Sequence, residues 1–396
     1  MDVAANIHRF PMAEPVGFAY PPCYRELQEN EPLARVRMAY GMEARLITRH
    51  ADVRAVLADP RFSRAATAGV DIPRSSPVML HDASIVTMDP PEHTRLRRMV
   101  AQAFTKRGVE AMRPRVVESV ARLLDAMEEQ GPPADLVTAL AQPLPILAIC
   151  ALFGVVDDRS DTFRELAHTM FTGTEQTAVE SAFGEIMAMI TALVAERRRT
   201  ASEDLLGRLV SACDDDDRLS EEELVGLALA LLVGGFENSA QEIANCAALV
   251  LRSPDHLAEL RARPDLVPSA VEEVLRFAPL SVTGGLVRIA VDDVELGSGT
   301  IRKGEAVIID TQSANLDPAV FDDPTEMDIH RSPNPHLIFG HGAHRCIGAE
   351  LARMELQVSL GSLLQRFPRL ALAVPAEDIP FTGGMLRGPA CLPVTW

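Results

Sequence analysis

The stretch Phe339-Gly340-His341-Gly342-Ala343-His344-Arg345-Cys346-Ile347-Gly348 decides how the remainder of the chain is understood. It sets one cysteine among glycines, an aromatic ring and basic side chains, directly before an amphipathic helical stretch that continues past Arg353. A cysteine so framed is placed to be a thiolate metal ligand. Both a helix N-terminus and nearby cations favour the charged form that binds metal. The glycines let backbone approach a flat ligand closely, and the surrounding amide N–H groups can hydrogen-bond the sulfur. Most isolated cysteines before a helix are buried structural residues. Here the glycine spacing reverses those odds.

The rest of the composition narrows the function classes. The chain has 396 residues and a net charge of −18, from 38 Lys+Arg against 56 Asp+Glu. That balance argues against non-specific nucleic-acid binding and against docking on an anionic membrane. The six cysteines, Cys23, Cys150, Cys213, Cys246, Cys346 and Cys391, show no CxxC pairing, so neither a zinc site nor a disulfide framework is indicated. A reduced, cytoplasmic compartment fits. Met1 to Phe18 lacks the apolar core of a signal peptide. The most apolar run, Leu224 to Phe236, is too short to span a bilayer and is flanked by Glu221, Glu222, Glu223 and Glu237, so it reads as a buried core helix. No linker or repeat divides the chain, and one large domain over 1–396 is expected.

Helical periodicity dominates, predicting helices over roughly 91–104, 108–129, 138–153, 159–172, 177–199, 220–251, 266–277 and 347–366. Valine, isoleucine and turn residues alternate near 33–48, 285–311 and 370–396, predicting a small β portion. The expected fold class is mainly α. Ser220 followed by Glu223 is a capping-box start. The periodicity after it runs for about 32 residues, or ~48 Å at helical rise. In its middle lie Gly234-Gly235-Phe236-Glu237-Asn238-Ser239, and glycine there costs about 1 kcal/mol relative to alanine. Such a weak point suggests a local bulge or a close-packed ligand more than a plain contact between helices. Asp214–Asp217 lacks the spacing of a calcium loop and reads as solvated.

The Phe339–Gly348 segment resembles the haem-binding signature of the cytochrome P450 superfamily, Phe-Gly-x-Gly-x-x-x-Cys-x-Gly. It matches at Phe339, Gly340, Gly342, Cys346 and Gly348, followed by Leu351-Ala352-Arg353. The resemblance spans most of the chain, is to the soluble bacterial type, and implies a single helical domain with a long central helix over the haem. It implies a haem-thiolate monooxygenase holding haem b (iron protoporphyrin IX), with Cys346 as the axial iron ligand. NAD(P)H electrons would arrive through a ferredoxin reductase and a ferredoxin, and the enzyme would be a monomer acting on a small molecule.

Further residues gain roles from the same resemblance. Glu273 and Arg276 share one helix face, by themselves an ordinary ion pair. In the family such a pair, completed downstream by an arginine, here Arg331, locks the meander leading to the cysteine loop. Asp317-Pro318, Phe321, Pro324 and Asp328 fit that meander, whereas Leu316 and Met327 depart from it. His93 and Arg97, four apart after Pro90-Pro91, with Arg288 and His344, match the family's partners for the haem propionates, which need cations or hydrogen bonds when buried. Gly235 is counted with the cofactor contacts.

Glu237-Asn238-Ser239 departs from the pattern. The family usually shows an acid followed by threonine, whose alcohol passes the proton that splits the O–O bond. Here Asn238 stands in for threonine and the hydroxyl moves to Ser239, about 100° further round the helix. An amide donates a hydrogen bond but relays protons poorly. Either Ser239 substitutes, with Glu237 completing the proton path and Asn238 contacting bound oxygen, or slower O–O cleavage favours epoxidation over hydroxylation.

Arg95, Arg97, Arg98, Lys106, Arg107, Arg113 and Arg115 face the single acid Glu110 within 93–115. With Arg345 and Arg353 they are expected to form a basic surface for an acidic ferredoxin; solvated helix faces are an equal reading. Substrate-facing loops are expected at Ala65–Thr87, Phe171–Thr177, Leu280–Leu286 and Phe381–Met385, with 65–87 and 168–180 as lids. Gly284-Gly285 and Gly383-Gly384 would leave room above the haem for a bulky apolar substrate, by analogy a polyketide or macrolide. A hydrogen-peroxide-driven peroxygenase and a non-catalytic haem sensor are the alternatives.

Overall fold

The computed structural model describes residues 6–75, 84–154, 162–163, 165–166, 169–170, 175–200, 202–214, 219–383 and 385–396. The chain folds as two compact units, each drawn from two stretches: Met1–Thr94 with Leu275–Cys346, and Arg95–Val274 with Ile347–Trp396.

The first unit is built on a mixed sheet. Its strands are β1 (Ile7–Arg9), β2 (Leu33–Arg37), β3 (Ala44–Ile47), β4 (Phe62–Ser63), β6 (Arg288–Ala290) and β9 (Ala306–Ile309), in the order β1-β2-β3-β9-β6-β4. Along β2 the burial alternates, with Ala34 and Val36 inward and Arg35 and Arg37 outward, as a strand with one solvated face requires. Strand β9 is buried throughout and feeds both faces. Ile308 packs with Phe10, Tyr24 and Leu46, while Val307 and Ile309 pack with Val53, Phe62 and Leu337. The helices Pro22–Asn30, His50–Ala58 and Thr311–Asn315 and the hairpin of β7 (Val294–Leu296) with β8 (Gly299–Ile301) complete it.

The second unit is helical, with a short sheet of β5 (Ala134–Asp135), β10 (Ala371–Leu372) and β11 (Pro393–Thr395). At its centre every residue of helix Glu237–Leu251 except Asn238 is buried. That helix packs on Ala349–Arg366, Val137–Ala141 and Pro143–Leu152.

The helices expected at 91–104, 108–129, 177–199, 266–277 and 347–366 appear as Glu92–Ala101, Lys106–Gln130, Gln176–Arg199, Val267–Phe277 and Ala349–Arg366. The one at 138–153 divides into a π turn, Val137–Ala141, and an α-helix from Pro143. Proline has no N–H to continue an earlier ladder but fits a first helical position. The expected 32-residue helix is two helices, Glu221–Gly234 and Glu237–Leu251, interrupted at Gly235-Phe236. Its capping box is present, with Glu223 N donating to Ser220 Oγ at 3.1 Å and Ser220 N to Glu223 Oε2 at 3.0 Å. By length and composition Gln176–Arg199 and the run Glu221–Leu251 could each cross a membrane, yet half of the latter's apolar window is buried in the fold, as in a core helix. Most of the expected helix 159–172 and of the Asp214–Asp217 run, and Met1 to Ala5, lie outside the described residues.

Candidate active site

In the first unit the cysteine loop is a tight turn. Gly340 N donates to Leu337 O at 2.8 Å, Arg345 N to Gly342 O at 3.1 Å, and Cys346 N back to Phe339 O at 2.7 Å. Gly340 and Gly342 adopt φ of +68° and +70°, which side chains rarely tolerate. A Cβ on Gly342 would meet Leu57 O at 2.4 Å, so this glycine lets the turn lie against the His50–Ala58 helix. Cys346 is exposed at the turn's end and in no disulfide. The helix does not start at Cys346 but at Ala349, with Gly348 as its cap.

His344, within this turn, meets a histidine of helix Glu92–Ala101. His93 is 2% exposed, and its ring centroid is 4.1 Å from that of His344. Arg288 is buried; its Nη1 donates to Phe62 O at 3.1 Å, while Nε and Nη2 have no hydrogen-bond partner. Burial lowers its pKa, partly offset by Asp89. Buried guanidinium nitrogens without acceptors call for an anion. Two imidazoles and such an arginine therefore fit a haem's carboxylates, and the glycine-framed thiol fits its iron. Arg97, in the second unit, is half-buried one turn past His93 on helix Glu92–Ala101.

Arg276 is fully buried and braces the segment leading to the turn, donating to Asn315 O at 3.0 Å, Pro324 O at 2.8 Å and Glu326 O at 3.0 Å. Arg331 joins it on Glu326 O at 3.3 Å and holds Asp322 O at 2.8 Å. Phe321 is buried with the Arg276 guanidinium 5.3 Å from its ring centre, and Asp317 accepts from His50 N at 2.9 Å. Glu273 is fully buried one turn before Arg276. The two arginines thus meet on backbone carbonyls.

In the second unit, Glu237 is buried and its Oε1 accepts from Gln241 Nε2 at 2.8 Å. Asn238 is half-buried, its amide at 3.5 Å from Gly234 O. Burial pushes the carboxyl of Glu355, on helix Ala349–Arg366 and close to Ser239, up to about 8, slightly opposed by that hydroxyl. The sequence reading missed Glu355, whose only signal was an acid on an inward helix position. A Cβ on Gly235 would meet Ile149 Cδ1 at 3.2 Å and Leu231 O at 3.1 Å, while Gly234 has nothing within 4 Å. A close neighbour of Gly235 is thus the helix Pro143–Leu152, and the break between Gly234 and Glu237 is the local bulge that its sequence suggested.

The loops give a mixed result. Gly284 does not leave open room: at φ +75°, a Cβ would strike Ile308 Cγ2 at 2.3 Å. It is a packing glycine under β9. Gly383 is open within 4 Å, but Gly384, 76–83 and 171–174 lie outside the described residues. The basic strip is partly neutralised. Arg113 grips Glu110 with two bonds of 2.7 Å, Arg95 pairs with Glu223, and Arg353 pairs with Glu272 at 2.7 Å and Glu350 at 3.0 Å.

With this geometry in place, comparisons identify the family. The cytochrome P450 family profile matches residues 149–389. The chain is 48% identical over 391 residues to a nocardicin C N-oxygenase of Nocardia uniformis subsp. tsuyamanensis, covering 98% of each. It is 45% identical over 396 residues to a mycinamicin IV hydroxylase/epoxidase of Micromonospora griseorubida, covering 99% of this chain and 100% of that one. The crystal structure of the LnmA cytochrome P450 hydroxylase, from the leinamycin biosynthetic pathway of Streptomyces atroolivaceus S-140, superposes with a TM-score of 0.92 at 49% identity, covering 98% of this chain and 100% of that one. The chain belongs to the cytochrome P450 family and is a P450 monooxygenase.

Proposed function

We propose that this monooxygenase hydroxylates or epoxidises a bulky, largely apolar small molecule of secondary metabolism, of polyketide or macrolide type. The similarity to a mycinamicin IV hydroxylase/epoxidase supports that substrate class. NAD(P)H electrons would reach it through a ferredoxin reductase and a ferredoxin, in the cytoplasm. Each compact unit is assembled from two distant stretches, so neither is a continuous piece of chain, which supports one catalytic domain.

Cys346 would hold the iron of haem b through its thiolate, and His93, Arg97, Arg288 and His344 would hold the propionates. Bound haem supplies activation of dioxygen for insertion of one oxygen atom into substrate. The protein's own part is orientation and proton supply. Arg276 and Arg331 hold the 322–326 carbonyls and so the approach to the Cys346 turn. Glu237 is assigned as a buried acid steadied by the Gln241 amide. Ser239 would pass a proton toward or from Glu355, and Asn238 offers an amide where the family usually has an alcohol. The observations carrying this reading are the tight turn that ends at Cys346, with its His344 against the buried His93, and the buried, unsatisfied nitrogens of Arg288.

Reduced protein under carbon monoxide should show a thiolate-type Soret band that Cys346→Ser abolishes. An imidazole-type band, or no porphyrin, would sink the reading. A type I spectral-shift screen against macrolides and other apolar metabolites then identifies the substrate, and turnover should need the redox partners.

A further inference from the structure

The antiparallel register of β4 with β6 pairs Phe62 with Ala290 and Ser63 with Ile289. Arg64 follows directly after that ladder, leaving the strand with αR backbone, and Arg288 opens β6 just beyond it, so the two guanidiniums lie close enough to repel. Arg64 Nη1 donates to Val86 O at 2.8 Å, while its buried Nε has no partner; Arg288 Nε and Nη2 have none either. Burial lowers the Arg64 pKa to about 9, with repulsion from Arg288 as the second cause. The acid nearby is Asp89, and its oxygens are engaged by Arg64 N at 2.9 Å and by the Ser63 hydroxyl. One carboxylate thus stands against two arginines, with His93 and His344 in the same unit. Charges desolvated to this degree persist only beside compensating ones.

We infer that Arg64 is a further binding residue for the haem, donating with Arg288 to a propionate carboxylate. The inference rests on the haem reading above. Nothing in the sequence marks Arg64, because its partner lies more than 200 positions away. The turn that ends β4 supplies the link. It sets Arg64 close to Arg288 and anchors the Arg64 backbone on Asp89, so the guanidinium is held from behind while Nε has no partner.

Arg64→Gln keeps a donor for the Val86 carbonyl and removes the charge. The holoenzyme should then lose haem to excess apomyoglobin roughly tenfold faster or more, as expected for losing a charge-assisted hydrogen bond. The midpoint potential of its iron should fall, since a lost cation disfavours the electron-rich state. Arg64→Lys should restore much of the potential but less of the retention, because an ammonium keeps the charge without the fork. If Arg64→Gln gives no holoenzyme, Arg64→Lys alone decides, with wild-type haem loss overturning the assignment. If Arg64→Gln changes neither readout while Arg288→Gln speeds haem loss, Arg64 is not a propionate partner. If Arg288→Gln is silent too, the propionate reading itself falls. Weaker type I binding of carboxylate-bearing ligands with unchanged haem retention would place Arg64 on the substrate instead, and would also overturn the inference.

Discussion

A carboxyl cut off from water keeps its proton, and two in the second unit are in that state. Burial raises both Glu242 and Glu355 to about 8 from an ordinary value of 4.5. Between those values the folded state binds more protons than the unfolded one, so stability must fall as pH rises from about 4.5 to about 8. Their contribution is fully present below the lower value and lost above the upper. Urea midpoints measured across that window should therefore decline, and Glu242→Gln or Glu355→Gln should each flatten the decline. Asn238 carries a second expectation. Asn238→Thr, which restores an alcohol, should shift products toward hydroxylation and reduce hydrogen-peroxide leakage; unchanged values for both would argue that the amide has no part in proton delivery. At this scale Cys346 was legible because its glycines and aromatic ring are neighbours in sequence. Glu355 and Arg64 were not. Each acquires meaning from a partner, Ser239 or Arg288, that only tertiary folding brings near.

Elements show where periodicity serves and where it fails. The apolar period is the same on both sides of Gly235-Phe236, so it could not reveal that Glu221–Gly234 and Glu237–Leu251 are separate helices. The two glycines should respond differently to alanine. Gly234 faces open space and should gain up to about 1 kcal/mol from better helix propensity. Gly235 meets Ile149 and Leu231 O, so overpacking should cost about 1–3 kcal/mol and leave a net loss. Equal thermal shifts in the two variants would refute the packing role of Gly235. Strands β4 and β5 span only two residues each, too short for alternation to register. The predicted β pieces at 33–48 and 285–311 held up because β2, β3 and β6 each carry a valine or isoleucine and β9 carries a run of them. What they could not show is that Ala44–Ile47 lies parallel to Ala306–Ile309.

Across the whole molecule the dominant fact is charge. If electrons come from an acidic ferredoxin as proposed, a chain of −18 would meet it through a local inversion of sign, and the ion pairs say where that inversion is weakest. Arg113 is already neutralised by Glu110, whereas Arg98 is exposed on the Glu92–Ala101 helix. Arg98→Glu should lower the ferredoxin-supported rate and its sensitivity to salt more than Arg113→Glu does, with peroxide-supported turnover little changed. Equal effects, or none, would remove the basic strip from the electron path. The strip was visible in the sequence as a run of arginines; its acidic partners Glu223 and Glu272 were not, being remote in the chain.

The backbone of Leu57 occupies the space that a side chain on residue 342 would need. The signature turn is therefore seated on a surface whose sequence is under no obligation to the signature. A lineage could adjust the iron's appetite for electrons by reshaping that seat, residue by residue along His50–Ala58, while every letter of the motif stayed the same.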